Sequence, residues 1–213
     1  MDSNLQSMPQ LIFLPGASGS TTFWHPLIEK LPQHYQTKII GYPGFGDKPE
    51  SLAVKSFKDL TNYVVDQINE ESVIVAQSMG GIFAIAAALQ KTHLVQGLVL
   101  IATSGGIDLT KFEVADWREA YSKEFLNYPE WFITTKVNYE QRLAEIAQKV
   151  LLIWGDQDPI SPVSVGEYLH AKLPNAHLEV IADGQHDLAN QHAKQVAVCV
   201  LDYLKSIESR LER

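Results

Sequence analysis

Cysteine is nearly missing from this chain. Cys199 is the only one, so neither a disulfide framework nor a thiolate metal cage can be built. It falls in an apolar helical run, 196–201, and reads as a buried structural thiol. Blocks of lysine and arginine are missing too. With a formal net charge of −8, the chain is poorly suited to nucleic acid or to an anionic membrane. Long apolar runs are also lacking: the longest, 82–89, is far too short to span a bilayer. The opening stretch, MDSNLQSMPQ, has no basic region and no apolar core, so it does not read as a signal peptide. Residues 1–9 are expected to be a loose leader. These absences fit a reducing, cytoplasmic setting, and nothing in the pattern calls for a metal or a cofactor.

What is present is the composition of an ordinary globular protein, 46% hydrophobic and 20% charged. A length of 213 residues suits one domain, 1–213, with a good core. Six short apolar runs are predicted as strands: 11–14, 38–40, 73–75, 97–102, 150–154 and 177–182. Helix-like spacing is found at 23–31, 58–69, 81–89, 163–173 and 188–213. Short apolar strands alternating with helices predict an α/β fold: a mostly or wholly parallel six-stranded sheet with helices on both faces. One interval breaks the alternation. Residues 105–148 carry no strand signal but hold Phe112, Trp117, Tyr121, Phe125, Tyr128, Trp131, Phe132 and Tyr139. This stretch reads as two or three helices interrupted near Tyr128-Pro129, a small helical cap over the strand ends. Its aromatic residues serve equally well to line a pocket or to pack the insert on the body.

In such sheets the chemistry lies in the loops beyond the carboxyl ends of the strands. Residues 72–81 read SVIVAQSMGG. Here Ser78 stands between a β-branched run and an alanine-rich helical run, with the small residues Ala76, Gly80 and Gly81 around it. That is the setting of the G-x-S-x-G nucleophile elbow, with Ala76 in the place of the first glycine. Met79, at the start of the helix, offers an N–H to an oxyanion. A hydroxyl nucleophile needs a base, and the base needs an orienting carboxylate. Loop 154–162, WGDQDPISP, holds Asp156 and Asp158, and loop 182–190, ADGQHDLAN, holds His186. Loop 14–20, LPGASGS, offers a second N–H, that of Ala17, with Gly16 allowing close approach. Ser18, Ser20 and Ser104 lie on the same face but lack the strand–turn–helix setting, so they read as local caps.

Taken together, these loops resemble those of the α/β-hydrolase superfamily, in particular its compact members with a short helical cap. The resemblance covers about residues 10–205. It is carried by LPGASGSTTFW, GYPGFGDKP, AQSMGG, WGDQDPISP and GQHDLANQHAKQVAVCVLDYL, in the family's order and spacing. It implies Ser78 as nucleophile, His186 as base, and Ala17 and Met79 as oxyanion donors. It implies Asp158 as the acid, because the family's acid lies three residues after the glycine of this loop, here Gly155. Asp156 is the second candidate, and otherwise a turn residue. The chain opens at the strand that is third in the family. His25, His34, His93, His170, His177 and His192 have no matching setting and read as surface or structural. Pro15 stands where the family often has His, and Gly41-Tyr42 and Asp47 stand in a turn that usually carries Asp and Ser. With Ala76, these departures point to a remote subfamily.

The expected activity is that of a serine hydrolase. It would act on an ester or thioester of a small to medium, partly apolar substrate through a Ser-His-Asp triad and an acyl-enzyme. A serine at the elbow argues against the dehalogenase and epoxide hydrolase branches, which use Asp there. A triad-bearing lyase resembling the menaquinone-pathway synthase, or a perhydrolase, would use the same three residues. Cationic side chains in the site would favour the lyase, and the insert offers Lys111, Arg118, Lys123, Lys136 and Arg142. A binding module that has kept the fold is a third reading, disfavoured by the intact set of Ser78, Asp158 and His186.

Overall fold

A computed structural model describes residues 9–211. The leader expected at 1–9 therefore lies outside the described residues except for Pro9. All six predicted strands form: β1 (Gln10–Leu14), β2 (Thr37–Ile39), β3 (Ser72–Gln77), β4 (Val95–Ile101), β5 (Lys149–Gly155) and β6 (Ala176–Ile181). They pair in the order β2-β1-β3-β4-β5-β6, every pair parallel. The helices are α1 (His25–Ile28), α2 (Phe57–Asp66), α3 (Met79–Gln90), α4 (Arg118–Glu124), α5 (Glu130–Thr134), α6 (Val163–Lys172), α7 (Leu188–Gln191) and α8 (Ala193–Leu211).

Side chains alternate across a strand, so each apolar run feeds two cores. Ile12, Ile74, Leu98 and Leu152 face one layer, with α2, α3 and α6. Phe13, Val75, Val99 and Ile153 face the other, with α1, α7 and α8. Helix α3 is apolar all round, as a helix pressed between the sheet and its neighbours must be. The strand order reverses beside β1, which has β2 on one side and β3 on the other. Loops leaving β1 and β3 therefore open a crevice at the carboxyl edge of the sheet.

Two helices differ from expectation. The helix expected at 23–31 is a 3-10 turn, Thr21–Trp24, followed by the short α1. Pro26 explains the change of winding: it has no N–H to return to Thr22, so no continuous α-helical ladder crosses it. The helix expected at 188–213 is broken at His192, with φ −105° and ψ 31°. Asn190 in α7 donates its side-chain N–H to the Phe23 carbonyl at 2.8 Å, so α7 is tied across to the turn after β1. Helix α8 instead runs along the sheet, burying Val196, Val200, Leu204 and Ile207. Its last expected residues, 212–213, lie outside the described residues. Cys199 is half-buried rather than buried, and burial raises its thiol pKa.

The insert between β4 and β5 holds α4 and α5, with a non-helical break at 125–129. Its ends are pinned together. The Tyr139 N–H donates to the Gly106 carbonyl at 2.7 Å. The Lys111 ammonium meets Glu140 at 2.7 Å and the Tyr168 hydroxyl of α6 at 2.9 Å. The hydrogen bond from Lys111 lowers the carboxyl pKa of Glu140, although exposed pairs of this kind add little stability. The aromatic residues pack the insert on the body: Phe132 lies 5.9 Å from Phe45, 5.3 Å from Tyr121 and 5.5 Å from Trp117, ring centre to ring centre. Among the described residues, no helix is long and apolar enough to cross a membrane.

Candidate active site

The sharpest backbone feature is at the end of β3. Ser78 has φ 51° and ψ −119°, a conformation that non-glycine residues rarely adopt. Helix α3 starts at the next residue, Met79. Glycines make the turn feasible. A Cβ at Gly80 would collide with the Leu14 carbonyl oxygen and lie 2.8 Å from that of Pro15, and a Cβ at Gly81 would collide with Thr103. The chain around Ser78 is fixed from both sides: its N–H donates to Ile101 at 3.0 Å, and the Thr103 hydroxyl donates to its carbonyl. Because the Gly80 contact is with main chain, Gly80→Ala is expected to cost about 2–3 kcal/mol. That corresponds to a fall of roughly 4–12 °C in Tm for a chain of this size, readable by scanning calorimetry.

The Ser78 hydroxyl meets His186 Nε2 at 3.0 Å. His186 Nδ1 meets Asp158 Oδ2 at 2.8 Å. The other oxygen of Asp158 accepts the N–H groups of Ile160 at 2.8 Å and Ser161 at 3.0 Å. The Asp158 side chain is 0% exposed and that of His186 23%. A buried acceptor-only carboxylate at Nδ1 selects the tautomer with its proton there. Nε2 is then free to accept the proton of Ser78. A hydroxyl held this way can act as a nucleophile, with the imidazole as its base.

The loops of β5 and β6 come together because glycine faces glycine. A Cβ on Gly184 would lie 2.8 Å from the Gly155 Cα. The Gln157 N–H donates to the Gly184 carbonyl at 3.0 Å. Asp156 does not reach His186. Its Oδ1 accepts the Asp183 N–H at 2.8 Å, where Asp183 turns the chain with φ 59°. The two carboxylates of WGDQDPISP thus divide the work: Asp158 holds the ring, and Asp156 holds the loop that carries the ring.

Ala17 lies in the loop after β1, half-buried, and Met79 opens α3. Among the described residues no turn or loop hydrogen bond uses the N–H of either, and Met79 has no helical carbonyl four residues back. The other candidate serines serve their own turns: Ser18 accepts the Ser20 N–H at 3.3 Å, and Ser104 accepts that of Gly106 at 3.2 Å. The remaining histidines are not brought to the site; His177 pairs with Glu179 on β6 and His192 with Gln195. Gln77, which the sequence reading missed, donates to the His186 carbonyl at 3.0 Å. No motif position marks it; only its burial at the end of a central strand sets it apart. Among the described residues, no group of three His, Cys, Asp or Glu side chains is arranged to hold a metal ion.

The fold has counterparts among known proteins. Residues 9–137 and 129–193 match the family model described as the alpha/beta hydrolase fold. The chain belongs to that family. It is 24% identical to an uncharacterized hydrolase, YugF, of Bacillus subtilis strain 168, over 92% of this chain and 89% of the relative. It is 23% identical to the pimeloyl-[acyl-carrier protein] methyl ester esterase of Legionella pneumophila strain Paris, over 82% of this chain and 86% of that enzyme. Among solved structures, MenH from S. aureus superposes with a TM-score of 0.78 at 18% identity, covering 98% of this chain and 97% of that one. At that identity the likeness is one of fold.

Proposed function

We propose that this chain is a serine esterase acting on carboxylic esters or thioesters of small to medium, partly apolar acyl compounds. The observation that carries the reading is the series Ser78–His186–Asp158, at 3.0 and 2.8 Å, on a strained strand–helix turn. Ser78 Oγ attacks the acyl carbonyl while His186 takes its proton. Asp158 stabilises the imidazolium and fixes the ring. The Ala17 and Met79 N–H groups meet the oxyanion, usually among the largest contributions to such a reaction. His186 then returns the proton to the leaving alcohol or thiol. In the second half, water gives its proton to His186 and its oxygen to the acyl carbon, and Ser78 recovers its proton. The insert acts as a cap whose aromatic underside favours partly apolar groups. The methyl ester esterase among the relatives supports ester chemistry for the same architecture.

The lyase reading depends on cations for an anionic substrate. The insert carries eight acidic residues against five basic ones. Four of the five basic residues already pair with carboxylates: Lys111 with Glu140, Arg118 with Asp116, Lys123 with Glu119, and Arg142 with Glu145. That pairing favours the esterase.

The test uses the full chain with a short-chain p-nitrophenyl ester, and in parallel a fluorophosphonate probe. Turnover together with stoichiometric labelling of Ser78 is the expected result. A protein that neither turns over ester nor takes the label would falsify the esterase reading.

A further inference from the structure

Ala17 can stabilise an oxyanion only if its N–H is aimed at the reacting carbon, and a peptide N–H points opposite to the carbonyl of its own plane. For Ala17 that carbonyl belongs to Gly16. It accepts the Gly19 N–H at 3.0 Å, in a turn where Gly19 takes φ 65°. The carbonyls on either side are also occupied, in each case by a tyrosine hydroxyl. Tyr42 donates to the Pro15 carbonyl at 2.7 Å. Tyr121 donates to that of Ala17 at 2.8 Å, and Tyr128 to that of Ser18 at 2.8 Å. Tyr128 also accepts the Gly46 N–H at 2.6 Å, which links this loop to the turn after β2.

Four successive carbonyls, 15 to 18, are therefore each held by a donor. A peptide plane reorients by compensating rotations about the bonds on both sides of it. Anchoring the planes before and after the 16–17 peptide blocks that motion. Tyr42 belongs to the body, but Tyr121 and Tyr128 belong to the insert. Burial raises the pKa of Tyr42 and of Tyr121 far above its ordinary value, so both keep the proton that they donate.

We propose that Tyr121 and Tyr128 are positioning residues of the oxyanion site. Their hydroxyls, carried in by the insert, hold the Ala17 and Ser18 carbonyls and so set the aim of the Ala17 N–H. The inference rests on the reading of Ser78 as nucleophile and adds a consequence to it. The oxyanion site is complete only while the insert is seated. A substrate that fits beneath the seated insert meets a finished site, whereas a bulkier one that lifts the insert loses part of it. Selectivity against bulk should then appear in kcat rather than only in KM.

Tyr121→Phe and Tyr128→Phe keep the ring packing and delete the donor. With a short-chain p-nitrophenyl ester, each is expected to lower kcat about tenfold and to leave KM within about twofold, the mark of an interaction made in the transition state. Butylboronic acid is the second probe. Its boron bonds to Ser78 Oγ, the hydroxyl proton passes to His186, and a negatively charged tetrahedral adduct places an oxygen where the oxyanion would be. Its Ki should rise by the same factor as kcat falls. Tyr35→Phe is the control: it loses a hydroxyl bonded to Glu208 at 2.7 Å, far along the chain in α8. It should lower Tm without moving kcat or the boronate Ki. The proposal is overturned if both insert variants keep wild-type kcat and Ki, or if KM rises while kcat holds. If Tyr121→Phe does not fold, Tyr128→Phe, at a half-buried position, gives the same reading. A wild type that binds boronate but hydrolyses no ester sinks the esterase reading alone, and the boronate Kd of wild type and variants, read by direct titration, still decides this one.

Discussion

Replacing Ser78 by alanine is expected to lower kcat/KM for a p-nitrophenyl ester by a factor on the order of ten thousand to a million. The same change should abolish fluorophosphonate labelling. Without Oγ nothing can form the acyl-enzyme, and water in its place has neither its position nor its hydrogen bond to His186. The loss should not be one of folding. Among the described residues the Ser78 hydroxyl is bonded only to His186, while its main-chain bonds, to Ile101 and Thr103, survive the change. A second variant makes the strain visible. At φ 51° and ψ −119°, alanine keeps the backbone strain of serine, about 1–3 kcal/mol, and glycine sheds it. Glycine's freer unfolded chain takes back about 0.5–1 kcal/mol. Ser78→Gly should therefore be as inactive as Ser78→Ala yet melt higher, by up to roughly 10 °C. A labelled Ser78→Ala protein would mean that the nucleophile is elsewhere. A Ser78→Gly protein that melts lower than Ser78→Ala would mean that no strain is stored at the turn.

The sheet was legible because its signal is local. The four central strands, β1, β3, β4 and β5, are buried on both faces, so each must be a short run of apolar residues, and such runs as 11–14 and 150–154 need no partner to be recognised. The loops were legible for a related reason: a strand that ends in glycine or a polar residue announces where the sheet edge lies. What was lost depends on single residues acting across the fold. One residue, His192, breaks the last helix because Asn190 is tethered to Phe23, and an apolar repeat is blind to such a tether. The insert's aromatics read alike as pocket or packing. The tyrosine hydroxyls resolve part of that ambiguity, yet Tyr121 and Ala17 stand 104 positions apart. No spacing rule joins them. Asp156 and Asp158 are a milder case, since the loop motif offers both, and only the turn at Asp183 separates their roles.

That separation yields the sharpest comparison. Asp158→Asn is expected to lower kcat about ten-thousandfold, and Asp156→Asn by less than about fivefold. At position 158 the amide oxygen can still accept the N–H groups of Ile160 and Ser161, which Asp158 takes at 2.8 and 3.0 Å. The amide nitrogen then faces His186 Nδ1. It is a donor, so the ring must turn its lone pair toward it and carry its proton on Nε2. In that tautomer the ring cannot take the proton of Ser78, and the imidazolium that forms during attack has lost its counter-charge. The structure around the site stays intact, so Tm should change little while kcat collapses. At position 156 the same change is mild, because the amide oxygen can still accept the Asp183 N–H and no proton is transferred there. Asp156→Ala is the informative partner: it frees Asp183, loosens the loop that carries His186, and should cost activity where Asn does not. Measured side by side on one ester, the opposite ranking at 156 and 158 would reverse the two assignments. Equal, small losses at both would remove the carboxylate from the mechanism altogether.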